Sequence, residues 1–137
     1  SSDVCSSDLN DLIMYWKDTA GKDFDTMINL FNSGDYHWSL FLGHLVIEKL
    51  LKALYVKNTD TQVPRIHDLS RLSELAGVTT SDEQKDVLDR ITTFNISVRY
   101  PDYQQRFYKK CTLEFANENI SLIEEVRLWL INLIEKK

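Results

Sequence analysis

The stretch from Tyr36 to Lys57 constrains the fold of this chain more than any other part of it. At about 100° per residue, Trp38, Leu42, Leu45, Val46, Ile47, Leu50, Leu51 and Leu54 cover most of a helix circumference. A helix that is apolar nearly all round leaves no face for water, so it belongs in the middle of a bundle or in an interface. One wedge breaks the pattern. His37, His44, Glu48, Lys52 and Tyr55 project within roughly 80° of one another, because steps of four and seven residues return to nearly the same face. Polar groups on an otherwise buried helix need partners from other elements.

The flanking segments supply helices to surround it. Leu12, Ile13, Trp16, Ala20, Phe24, Met27, Ile28 and Phe31 form one stripe at helical spacing. Gly34 then offers a C-terminal stop and Asp35 an N-cap for the next helix. Turn formers run from Asn58 to Pro64, after which Asp68 is placed to cap a short third helix ending at Gly77. Thr80 and Glu83 stand at capping-box spacing ahead of a fourth helix with Val87, Leu88, Ile91 and Phe94 on its core side. Pro101 drives Tyr100 towards extended geometry, so the segment from Ile96 to Pro101 is expected to leave the helix. A last helical region is predicted from Tyr103 to Glu135, with a bend near Asn117 to Asn119. No strand-like alternation or repeat interrupts this series. The expected fold is all-α: a single bundle of about five helices, a four-helix core plus a short extra one.

A length of 137 residues suits one domain, and 43% hydrophobic with 27% charged residues suits a folded globule. The formal net charge of −5 gives no bulk support for duplex binding, which favours a basic face. Cys5 and Cys111 lie too far apart for a metal-ligand or redox spacing, and Cys111 reads as a small apolar helix residue. Neither a metal nor any other cofactor is expected. No apolar run approaches the roughly 18 residues that cross a bilayer, and no secretory pattern opens the chain, so the expected location is cytoplasmic, without membrane contact. Residues 1–9 repeat Ser-Ser-Asp without amphipathic period and are expected to be a non-native or disordered leader, with the domain at residues 10–137.

Three polar clusters are candidates for function. His44, Glu48 and Lys52 form either an internal salt-bridge ladder, with Glu48 and Lys52 in the favourable i,i+4 order, or a polar groove for a nucleotide or partner. A metal site from His44, Glu48 and His67 is the third alternative, though it matches no recognised ligand spacing. Asp68 serves as a helix cap or, with His67, joins a site. Arg99-Tyr100-Pro101-Asp102 is a rigid turn, pinned by an Arg99–Asp102 pair or presenting a guanidinium to phosphate. No Ser/His/Asp or Cys/His nucleophile set can be assembled, and the four glycines form no phosphate loop.

These clusters together resemble the HEPN family, the higher eukaryote and prokaryote nucleotide-binding helical domains. The matching pieces are Gly34-Asp35-Tyr36 leading into the run from Phe41 to Leu54, then His67-Asp68-Leu69 with Leu72, then Arg99-Tyr100-Pro101-Asp102, in the family's order. The resemblance implies an antiparallel bundle, a homodimer with a cleft near the subunit interface, and pairing with a minimal nucleotidyltransferase in a toxin–antitoxin arrangement. It places nucleotide or RNA phosphate among His44, Glu48, Lys52, His67, Asp68, Arg99, Tyr100 and Asp102. Many members of the family are metal-independent endoribonucleases marked by an arginine followed four to six positions later by histidine. Here Gln104, Gln105 and Arg106 follow Arg99, and no histidine lies downstream. Ribonuclease chemistry needs an imidazole near neutral pH, so any catalysis would fall to Arg99 with His67 brought from elsewhere in the fold.

Overall fold

A computed structural model of the chain describes residues 6–137. Six helices make up the described residues: α1 (Ser6–Asn32), α2 (Tyr36–Asn58), α3 (Leu69–Leu75), α4 (Asp82–Arg99), α5 (Pro101–Lys110) and α6 (Leu113–Glu135). Residues 1–5 of the expected leader lie outside the described residues, and Ser6 to Leu9 form the first turn of α1.

The apolar helix lies where its composition requires. α2 touches all five other helices, and Leu40, Val46, Ile47, Leu50, Leu51, Ala53 and Leu54 are fully enclosed. At about 1.5–3 kcal/mol per large buried aliphatic side chain, this helix supplies the largest part of the core. Trp38 departs from the expected pattern and is 40% exposed. α1 turns its stripe inward, with Ala20 and Met27 buried and Trp16, Phe24 and Ile28 packed against the core. α4 contributes Leu88, Ile91 and Phe94, and α6 contributes Ile123, Val126 and Leu130. α1, α2, α4 and α6 thus form a four-helix core, with α3 and α5 as shorter additions.

Turn chemistry fixes the joints. Gly34 takes φ +82° between α1 and α2, and Gly77 takes φ +74° after α3, conformations that penalise a Cβ. The N-cap of α4 lies one residue beyond the expected Thr80: Ser81 Oγ accepts from the Gln84 amide (3.1 Å) and Gln84 Oε1 accepts from the Ser81 amide (2.9 Å). Residues 96–99 remain helical, correcting the expected break. Pro101 restricts only the residue before it, and Tyr100 alone adopts φ −108° and ψ 120° while Pro101 opens α5 at a position needing no donor.

The expected long last helix is two. α5 ends at Lys110, and Thr112 caps α6 by accepting from the Phe115 amide at 3.2 Å. Residues 117–119 lie within α6, where buried Asn119 donates to the Phe115 carbonyl at 2.8 Å. Cys111 is buried as expected but sits at the C-cap of α5 rather than inside a helix; burial pushes its thiol up to about 12. At the far end of the bundle, Lys57 of α2 donates to the carbonyls of Leu133 (2.8 Å), Ile134 (3.0 Å) and Lys136, neutralising the C-terminal end of the α6 dipole.

Candidate functional site

The polar wedge of α2 meets its partners at the junction of α2, α4 and the loop before α3. His44 is entirely buried. Its Nε2 lies 2.9 Å from the carbonyl oxygen of His67 and donates to it, leaving Nδ1 to accept from Asn95 Nδ2 of α4 at 3.3 Å. Burial pushes His44 below its usual 6.5, against the hydrogen bond to the carbonyl and the nearby Glu48 carboxylate, so the neutral ring this geometry needs is the favoured one. His44 therefore acts as a strut that fixes the backbone at His67.

One turn along, Glu48 is buried with two partners. Its Oε1 accepts from His67 Nδ1 at 2.7 Å and its Oε2 from Lys52 Nζ at 3.0 Å. Burial alone would raise the Glu48 pKa, but the hydrogen bonds from His67 and Lys52 outweigh it and hold the carboxyl below its usual 4.5. The Lys52 ammonium also lies 5.2 Å from the centre of the Trp16 ring, so α1 supplies a cation–π wall.

The His67 side chain is 45% exposed, the opening of this otherwise enclosed cluster. With Nδ1 donating to Glu48, Nε2 is left as an acceptor, and Arg99 Nη2 meets it at 3.1 Å. The result is a linear chain, Lys52–Glu48–His67–Arg99, with two permanent cations around one carboxylate. Arg99 has five N–H donors and spends one on His67, so its exposed fork can turn to an anion arriving at the same opening.

The structure thus brings together His44, Glu48, Lys52, His67 and Arg99. Arg99 reaches His67 rather than forming the Arg99–Asp102 pair. Asp68 caps α3 by accepting from the Arg71 amide at 3.2 Å. Tyr100 is 56% exposed at the head of α5 and packs edge-on against Tyr103, while Asp102 lies in the first turn of α5; neither joins the chain. His37 sits further along the wedge against Tyr108, with 5.1 Å between ring centres. Both ring nitrogens of His44 are committed, so it has no lone pair for a metal, and among the described residues no cluster of three ligands forms.

Two members of the cluster were not singled out by sequence. Asn95 occupies a core-facing place on α4 beside buried Phe94, and an amide on that face is itself a signal of a buried polar partner. Trp16 carries no such mark, because it fits the apolar stripe of α1. Among the described residues, no helix is long and apolar enough to cross a membrane.

Comparison with known proteins agrees with this architecture. No curated protein and no solved structure matches the chain. The family model described as HEPN domain matches residues 13–134, which takes in α2, His67 and Arg99. The chain belongs to the HEPN domain family.

Proposed function

We propose that the Lys52–Glu48–His67–Arg99 chain binds a phosphate group of a nucleotide or of RNA, and that the protein is a binding module paired with a minimal nucleotidyltransferase in a toxin–antitoxin arrangement. The observation that carries the reading is the Arg99–His67 contact at the exposed end of a buried, oriented chain. A guanidinium resting on a neutral imidazole gives up little when it turns to a phosphate, and its fork matches two phosphate oxygens. Glu48 supports the arrangement by fixing the His67 ring, and Lys52 keeps Glu48 ionised. Exposed Trp38 and Tyr108, lying near each other through His37, give two copies an aromatic surface on which to meet.

Titration calorimetry with a short single-stranded RNA tests the binding. Wild-type protein should release heat, and Arg99→Ala should weaken binding about tenfold or more, the usual loss for a charge-assisted contact. Unchanged affinity in Arg99→Ala would remove this reading. Co-purification with a nucleotidyltransferase encoded beside the gene tests the pairing, and an empty pull-down removes it.

A second reading is favoured by the Glu48–His67 hydrogen bond, which orients an imidazole as a carboxylate orients a catalytic histidine. Once Arg99 turns to phosphate, His67 Nε2 is free to take the proton of an RNA 2′-hydroxyl. The 2′-oxygen then bonds to phosphorus as the bond to the 5′-oxygen breaks, and that oxygen takes a proton from water. Arg99 would stabilise the charge on the phosphorane. RNA cleavage by pure protein, abolished in His67→Ala, supports it; intact RNA rejects it.

A further inference from the structure

The largest cavity of the described residues, about 510 Å³, lies on the other side of α4. Arg90, Thr93, Phe94 and Ser97 line it from α4, whereas Asn95 and Arg99 point roughly half a turn away, so the two sites share a helix and no side chain. Its floor is aromatic. Phe94 stacks on Phe107 with 5.6 Å between ring centres, and Phe115 meets both edge-on at 6.4 Å. Its rim is cationic, with Arg90, Arg106 and Lys110 against the single carboxylate of Glu118.

That rim is unfavourable for an empty surface. Arg106 and Lys110 stand at i,i+4 on α5, a spacing at which like charges destabilise a helix. Arg90 has Glu118 at 3.7 Å, and Lys110 lies 5.2 Å from the centre of the Phe115 ring. Three cations gathered around an aromatic floor, on a chain of net charge −5, match a ligand that is itself a flat ring joined to a polyanion. Tyr103, 51% exposed at the mouth, offers a further ring for stacking. The hydroxyls of Thr93 and Ser97 lie on the same wall.

We propose that this groove is a second anion site, separate from the Arg99 chain, and that it takes a nucleoside polyphosphate. The base stacks between Tyr103 and the phenylalanine floor, and the phosphates lie on Arg90, Arg106 and Lys110. Calorimetry of the full chain with ATP, adenosine and inorganic triphosphate tests it. ATP should bind; adenosine should not; inorganic triphosphate should bind at least about tenfold more weakly than ATP, since stacking contributes on the order of 1–3 kcal/mol. Arg106→Gln with Lys110→Gln should lower ATP affinity about tenfold or more. Tyr103→Ala should narrow the gap between ATP and triphosphate, while Arg99→Ala should leave ATP binding unchanged. All these side chains are exposed, and matching thermal midpoints will show that the variants fold. The proposal is overturned if ATP does not bind, if triphosphate binds as tightly as ATP, if the Arg106 and Lys110 changes have no effect, or if Arg99→Ala alone abolishes binding.

Discussion

His44 shows how one buried side chain shapes a site it does not enter. Its ring is neutral because burial disfavours the charged form, and the cost of charging it links folding to pH. The unfolded chain protonates His44 near 6.5 and the folded chain only at lower pH. Its contribution to stability is therefore complete above 6.5 and is lost as pH falls from there towards the folded value. Within that window stability should fall by up to about 1.4 kcal/mol per pH unit, and His44→Gln should flatten the dependence of the thermal midpoint between pH 7 and 5.5. Glu48 acts in the same direction lower down: its stabilisation is present above 4.5 and lost as pH falls through its depressed folded value. Asn95→Ala should remove the donor to His44 Nδ1 and cost about 1–3 kcal/mol in denaturant unfolding. The wedge of α2 was legible in the sequence because a polar strip on an apolar helix has no bland explanation. The partner that completes it, Asn95, was hidden because a lone amide in a helix has many.

At the scale of elements, the close approach of helices depends on Gly43. A Cβ there would meet Ile123 Cδ1 at 2.4 Å and Met27 Sδ at 3.2 Å, where α1, α2 and α6 converge. The better helix propensity of alanine, about 1 kcal/mol, works against an overpacking cost of roughly 1–3 kcal/mol. Gly43→Ala should therefore be mildly destabilising, and Gly43→Val clearly so, by chemical denaturation. Lys57→Met should loosen the end of α6, because three carbonyls lose their cation; faster amide exchange over residues 130–137 will report it. The helices themselves could be read from periodicity. Their joints could not be read as well. Pro101 was taken to unwind the five residues before it, although its ring constrains only Tyr100. The α5–α6 break escaped notice because Phe107, Cys111 and Phe115 continue a single stripe at i,i+4 straight through it.

As a whole molecule, the chain carries a net negative charge while concentrating cations at two places on either side of α4. RNA binding at the Arg99 end should weaken steeply with salt, because a few phosphate contacts dominate it. Self-association through Trp38 and Tyr108 should give the mass of two copies in light scattering, and Trp38→Glu should reduce it to one.

α2 is enclosed by every other helix, whereas α5 buries one side chain, Phe107, in ten. Glu48 and Lys52 are thus fixed to the least yielding part of the protein, while Arg99 adjoins the most loosely held helix. The pocket works like a vice with one immovable cheek. Deuterium uptake should place the amides of α2 in the slowest class and those of α5 among the fastest. A ligand that draws Arg99 across will be felt in α5 while the opposite wall stays still.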